Sequence, residues 1–196
     1  AQRGALALPA PPDFVDKVSL GALLIALIAW ATELPAGAVG VLFLVAGASH
    51  AVRLARWRGW LAVAEPLVLI LHVGYAWLPL GLVLMGAAKL APDVVSPYAA
   101  LHALTAGAMG TMTLAVMTRA SLGHTGREKT ADVWTVAIYA LVLGGALLRV
   151  FGSILFAPHY VIALLVAASL WSAAYALFAI RYGPMLWQPR RGEVQS

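Results

Sequence analysis

Six apolar stretches dominate the sequence, and each is long enough to cross a lipid bilayer as a helix. They cover about residues 15–32, 36–54, 66–88, 97–119, 131–151 and 158–182. Spanning the hydrocarbon core takes about 20 helical residues, and a helix is tolerated there because its backbone groups bond internally. Only 11% of the 196 residues are charged, against roughly 25% in soluble domains. The chain is therefore predicted to be an all-α integral membrane protein, a six-transmembrane-helix bundle.

The basic residues predict how this bundle is oriented. Short connections make neighbouring helices antiparallel, so alternate connections lie on one side. The Arg-rich loop around 53–58, the loop containing 119–129 and the segment after 181 share that side, whereas the other loops offer little beyond Lys89. The positive-inside rule then places both termini in the cytoplasm. The net charge of +5 is explained by this orientation, and no nucleic-acid partner is expected.

Composition also divides the chain and limits its cofactor chemistry. We expect a Pro-rich N-terminal segment at 1–14, a transmembrane domain at 15–187 and a basic cytoplasmic tail at 188–196. Cysteine is absent, which excludes disulfides, thiolate-bound iron–sulfur clusters, a thiolate haem ligand and c-type haem attachment. Any bound metal must therefore use imidazole, thioether or oxygen ligands.

Histidines are the main candidates for cofactor ligands. His50, His72 and His102 lie inside apolar stretches, His159 lies at the rim of the last one, and His124 follows the fourth. A single such histidine can be a packing residue that bonds across helices. Ionisable groups in a membrane are costly, however, and usually face a cavity, a partner or a cofactor. The set as a whole therefore favours a cofactor.

The fourth stretch carries a polar stripe at helical spacing. Successive members are three or four residues apart and so share one helix face: His102, Thr105, Met109 and Thr113. Imidazole and thioether groups suit copper or haem iron. His72, His102 and Met109 are therefore the candidate metal ligands.

Depth along the helices predicts two separate centres. His72 lies about 9 Å from the Arg-rich end of its stretch, and His102 lies about 7 Å from the opposite end. One centre would combine His72 with His50 or His124, and the other would combine His102 with His159. Near the second, Arg149 would bind a haem propionate or extend to the membrane surface. A further pair, Arg119 and Arg127, flanks the turn "SLGHTG", whose backbone amides could bind an anion.

Three segments resemble a known family. "EPLVLILHVGYAWLPLGLVL", "LHALTAGAMGTMTLAVMTRASLGHTGR" and "RYGPML" are similar to the C-terminal half of the NnrS family, whose members are multi-pass proteins of the bacterial inner membrane. The resemblance implies haem and copper as cofactors and a link to nitric oxide tolerance. It also implies functional roles for His72, His102, His124, Arg119 and Arg127, whereas His50, Arg149 and His159 rest on the depth argument. Typical members are about twice as long, so a second six-span half or a homodimer is an expected partner.

Two main functions are compatible with these features. The first is a haem/copper membrane protein that binds or detoxifies nitric oxide, either as a metal-dependent oxidoreductase or by electron transfer through b-type haem from an electron donor. Few carboxylates lie in the spans to relay protons, which leaves turnover open. The alternative is a six-span half of a transporter or channel whose histidines pass protons or a metal. A structural subunit with packing histidines is a third reading.

Overall fold

Six long helices form the protein. The computed structural model describes residues 13–190, and within that range it contains helices and no strands. The helices are α1 Phe14–Ala31, α2 Ala36–Arg56, α3 Pro66–Leu90, α4 Pro97–His124, α5 Val133–Leu155 and α6 Tyr160–Leu186. All six are long and apolar enough to cross a membrane, the last together with the 3₁₀ turn Ala157–His159 before it. The predicted all-α, six-span architecture is confirmed, while the predicted segments 1–14 and 188–196 lie mostly outside the described residues.

Local sequence signals explain where several helices begin. Pro66 and Pro97 stand at the first position of α3 and α4, where proline's missing N–H removes no helical hydrogen bond. Asp132 caps α5, because its side chain accepts a hydrogen bond of 2.9 Å from the Thr135 backbone N–H. Such a cap satisfies a donor that the helix leaves free.

The end of α4 differs from the sequence prediction. The fourth apolar stretch was predicted to end near residue 119 and to be followed by the turn "SLGHTG", yet Gly123 is helical and α4 continues to His124. The chain leaves the helix at Gly126, whose φ of 66° lies in the left-handed region that glycine adopts without steric cost. The fourth span is therefore about five residues longer than predicted.

Packing follows the order of the chain. α1 packs on α2, α2 on α3, and α3 along the whole of α4, while α5 and α6 form a close pair against α4. One core cluster joins α1, α2 and α3, and a second joins α3 to α4, α5 and α6. We call the end of the bundle with the ends of α2, α4 and α6 the basic end, because it carries Arg53, Arg56, Arg119, Arg127 and Arg181. The other is the opposite end.

The outer surface of the bundle is apolar. Large aliphatic side chains point outward along several helices, including Leu24, Ile28, Val41, Val45 and Leu165. A surface of this kind would drive association in water but is compatible with lipid acyl chains. The protein is a multi-pass membrane protein in a lipid bilayer.

Candidate cofactor groove and flanking histidines

One face of α4 opens onto a groove between α4, α5 and α6, which we call the His102 groove. The polar stripe predicted from the sequence lines it in full: His102, Thr105, Met109 and Thr113. The facing wall includes Arg149 of α5 and Ala167, Trp171 and Tyr175 of α6. Its volume of about 480 Å³ lies within the ~300–1,000 Å³ typical of small-molecule and cofactor pockets. The helical spacing therefore identified one complete wall of a cavity.

The middle of α4 is a π-helix, Ala103–Met109, and aromatic side chains of α6 bind its carbonyls. Trp171 Nε1 donates a hydrogen bond to the Ala106 carbonyl at 3.4 Å, and Tyr175 Oη donates to the Gly110 carbonyl at 3.0 Å. Gly110 makes this approach feasible, since a Cβ there would stand 2.8 Å from the indole nitrogen. Single π-helical turns are rare and occur often at functional sites. The α6 aromatics thus fix the position of the groove wall.

His102 is held in an orientation that suits a ligand. Its Nδ1 lies 2.5 Å from the Tyr98 carbonyl oxygen. Because a carbonyl only accepts, Nδ1 carries the proton and Nε2 keeps its lone pair. Metal-binding histidines are commonly held through the second nitrogen in this way. In the same groove, Arg149 Nη1 donates to Tyr160 Oη at 3.3 Å, and a guanidinium retains further donors for a carboxylate.

These residues fit a haem better than a copper ion. A haem with one protein ligand needs a single imidazole lone pair, apolar walls and a cation for its carboxylates, and His102 and Arg149 supply the polar parts. Within residues 13–190, no three His, Asp or Glu side chains converge as a metal site. Met109 follows His102 by seven residues, or about 10 Å along the helix axis. The groove therefore does not by itself provide a copper site.

The contacts between α3 and α4 separate His72 from His102. The two helices are antiparallel, and Gly74 packs on the backbone of Met112. His72 thus lies at the level of position 114, twelve residues or about 18 Å from His102. The depth difference predicted from the sequence is larger in the fold, and one iron cannot be bound by both imidazoles.

A partly buried polar network occupies the basic end between α1, α2 and α3. His50 Nδ1 lies 2.5 Å from Tyr75 Oη, Arg53 Nη1 donates to the same oxygen at 2.9 Å, and Arg53 Nε donates to Asp16 Oδ1 at 2.6 Å. The Trp57 ring lies 4.6 Å from the Tyr75 ring and 5.0 Å from the Arg53 guanidinium carbon. His50 is buried, and its Nε2 has no hydrogen-bond partner among the described residues. His50 is thus part of a structural network, with one nitrogen unused.

His72 lies beside this network on α3. Its Nδ1 bonds to the Val68 carbonyl oxygen at 3.1 Å, and its ring meets the Trp57 ring edge-on at 6.2 Å. Gly59 covers the imidazole so closely that a Cβ there would stand 2.6 Å from His72 Cδ2. The same tautomer argument as for His102 leaves Nε2 of His72 with a lone pair.

The remaining predicted site residues lie at other surfaces. His124 is exposed and lines a separate groove with Arg119. Arg127 lines another groove, where its Nη2 donates to Gln188 Oε1 at 2.6 Å. His159 is exposed in the 3₁₀ turn before α6 and is not among the residues that line the His102 groove. The structure therefore brings Arg149, rather than His159, to His102.

Sequence reasoning missed two groups of residues. Trp171 and Tyr175 were not singled out, although two aromatics with polar atoms four residues apart in an apolar helix were a usable signal. The ion pair between Asp16 and Arg53 was also missed, because its members lie 37 residues apart.

Two carboxylates just outside the spans, Asp13 and Asp132, neutralise arginines at the basic end. Arg56 hydrogen-bonds Asp13 and so holds the pKa of that carboxyl below its ordinary value. Burial acts to raise the pKa of Asp132, but hydrogen bonds from Thr135 and Arg181 outweigh it and the pKa lies below its ordinary value. Both carboxylates are therefore charged near neutral pH.

The family comparison agrees with the resemblance in the sequence. The sequence model of one family, described as NnrS protein, matches residues 2–190, nearly the whole chain. No curated protein and no solved structure matches the chain. Because one family model covers almost every residue and the fold has six membrane-spanning helices, the chain is a multi-pass membrane protein that belongs to the NnrS family.

Proposed function

We propose that the protein binds haem in the His102 groove and presents it to nitric oxide. The observation that carries this proposal is the meeting of three features in one lipid-facing cavity. These are an oriented imidazole, a guanidinium and walls that are mostly apolar. Membership of the NnrS family suggests the same cofactor and the same gas.

Each part of the groove has a role in this proposal. His102 would hold the haem iron through Nε2, and its hydrogen bond to the Tyr98 carbonyl keeps the ring from turning away. Arg149 would bind a haem carboxylate, and Tyr160 orients the guanidinium. When bound, the haem would supply an iron that can take a diatomic gas as a ligand. The apolar walls exclude water and admit nitric oxide from the lipid.

We infer binding rather than reduction of nitric oxide at this groove. Reduction consumes electrons and protons, and Asp16 is the single carboxylate within the six described spans. Its side chain is bound to Arg53 at the basic end, far from His102. Turnover would therefore need an electron donor and a proton route supplied by a partner.

The proposal extends to location and assembly. The arginines of the basic end favour a cytoplasmic position for that end in a bacterial inner membrane, by the positive-inside rule. Copper, the other metal that the family implies, needs ligands beyond those that converge in residues 13–190. A homodimer or a second six-span half would have to supply them.

A second haem at the basic end has one supporting feature. The Nε2 of His72 keeps its lone pair because Nδ1 bonds to Val68. Neither residue predicted to pair with His72 is placed beside its Nε2 as a second ligand, since His50 is bound to Tyr75 and His124 lines another groove. We therefore assign the His102 groove as the primary site.

The test is a haem assay on purified protein with two matched variants. His102→Gly should lose the Soret band of the reduced-minus-oxidised spectrum, and added imidazole should restore it because the small ligand fills the space left by the side chain. His159→Gly removes an exposed histidine near the same end and should retain haem. Nitric oxide added to the reduced wild type should shift the Soret band.

Three results would contradict the proposal. Haem retention in His102→Gly would exclude this residue as the ligand. Equal loss in both variants would favour the pairing of His102 with His159. A wild-type protein without any Soret band, reconstituted or not, would favour the transporter alternative.

A further inference from the structure

A second groove at the basic end has an unusual charge pattern. It lies between α3, α4 and the loop that follows α4, has a volume of about 500 Å³, and is lined by Leu71, Val116, Arg119, Ala120, Gly123, His124 and Lys129. We call it the cation groove. Its polar side chains are all basic and none of its lining residues is acidic.

The basic side chains of this groove have no acidic partner among the residues that the structure describes. Within residues 13–190, no side-chain hydrogen bond or ion pair joins Arg119, His124 or Lys129 to another group. The arginines elsewhere at this end differ, because Arg56 pairs with Asp13 and Arg181 pairs with Asp132. The terminal carbonyls of α4 favour nearby cations, but that effect is typically below ~1 kcal/mol at an exposed site and does not neutralise the charges of Arg119 and Lys129.

The Lys129 side chain lies close to Gly123 in the last turn of α4. A Cβ on Gly123 would stand 3.1 Å from Lys129 Cε and 3.7 Å from its Nζ. The lysine side chain therefore lies over the last turn of α4, the turn that also carries His124, with Arg119 one turn earlier. Glycine at 123 provides the space for this arrangement.

The groove also has an apolar part. Leu71 of α3 and Val116 of α4 form the deeper part of its wall, whereas Arg119, His124 and Lys129 lie successively nearer to, or beyond, the end of the α4 span. Phospholipids present the same order at this depth, with a phosphate at the interface and acyl chains below. The basic side chains of the groove, their depth at the end of the spans and the apolar wall together favour an anionic lipid over a protein partner.

We propose that the cation groove binds an anionic phospholipid. Its phosphate diester contacts Arg119, His124 and Lys129, and an acyl chain lies on Leu71 and Val116. The site is separate from the His102 groove and does not depend on haem.

The experiment compares lipid retention in single-residue variants. Full-length protein is reconstituted with phosphatidylglycerol or phosphatidylcholine vesicles, extracted, and examined by native mass spectrometry. A basic side chain near a charged membrane surface is worth about 1 kcal/mol, so Arg119→Gln or Lys129→Gln should each weaken phosphatidylglycerol binding roughly fivefold. Arg181→Gln is the matched control, because its guanidinium lies at the same end but is bound to Asp132, and it should leave binding unchanged.

Two further arms separate the possible anions. Inorganic phosphate in excess should not displace phosphatidylglycerol, because it lacks the acyl chain. Displacement, or equal retention of phosphatidylcholine, would overturn the assignment to an anionic lipid. An equal loss of phosphatidylglycerol binding in Arg119→Gln and Arg181→Gln would mean that general surface charge attracts the lipid. That result would also overturn the assignment of this groove. Should Arg119→Gln fail to fold, as judged by gel filtration, the loop variant Lys129→Gln decides alone.

Discussion

The contact between α5 and α6 at Gly145 gives a quantitative test of the groove's construction. A Cβ at this position would stand 2.9 Å from both the Ala167 carbonyl oxygen and the Trp171 backbone nitrogen. Both atoms belong to the α6 backbone, which cannot rotate away as a side chain can. Gly145→Ala must therefore push the two helices apart by a few tenths of an ångström and move Trp171, which binds the π-helix of α4.

The adjacent glycine provides an internal control. A Cβ on Gly144 would meet only Leu170 Cδ1, at an ordinary van der Waals distance of 3.6 Å. Both substitutions gain the same helix propensity, up to about 1 kcal/mol, whereas overpacking costs about 1–3 kcal/mol at Gly145 alone. The free energy of unfolding of Gly145→Ala should therefore be about 1–3 kcal/mol lower than that of Gly144→Ala.

The measurement is reversible unfolding in mixed micelles of increasing sodium dodecyl sulfate, followed by circular dichroism. Haem content per chain is measured in parallel, and it should fall in Gly145→Ala and stay constant in Gly144→Ala. If the two variants agree within about 0.5 kcal/mol, the helices do not need glycine at this contact, and the argument that close approach builds the groove is wrong.

Two further predictions concern the basic end. The pKa of Asp132 is lower in the folded protein than in the unfolded chain. The ionised carboxylate therefore stabilises the fold fully above the unfolded-state pKa of about 4. This stabilisation is lost as the pH falls through the folded-state pKa. Asp132→Asn can still accept from the Thr135 N–H, so its unfolding free energy should fall less than that of the wild type between pH 7 and pH 3, and parallel pH curves would contradict this. Tyr75→Phe removes the hydrogen-bond partner of His50 Nδ1 and should lower the free energy of unfolding by about 1–3 kcal/mol in the same assay. The control is Tyr98→Phe, whose ring is exposed, and it should change the free energy of unfolding by less than about 0.5 kcal/mol. Equal effects of these two substitutions would argue against a stabilising network.

The α4 face was predictable because its information is local. A spacing of three or four residues places His102, Thr105, Met109 and Thr113 on one side of a helix, whatever the helix packs against. These residues stay on one side of α4 although the helix is a π-helix at Ala103–Met109. No local signal in the sequence had indicated that π-helix. π-Helical turns depend on contacts from other helices, here from α6, and not on the propensities of the residues that form them.

The partners of these residues were harder to predict. Depth alone suggested His159 as the companion of His102, since both lie near the opposite end. Depth does not fix the rotation of one helix relative to another, and of the two residues predicted near His102 the groove is lined by Arg149 and not by His159. The same limit explains why the interactions of Asp16 with Arg53 and of His50 with Tyr75 emerged only in three dimensions.

The sequence by itself determined that this chain crosses a membrane six times as helices and that α4 presents a polar face. Both follow from the composition and period of single segments and from the solvent that surrounds them. Only the tertiary structure decided which faces meet, because helix rotation and separation depend on small residues such as Gly110 and Gly145 at each contact. That packing joins His102 and Arg149 in one groove and leaves the basic side chains of the other groove without an acidic partner in residues 13–190.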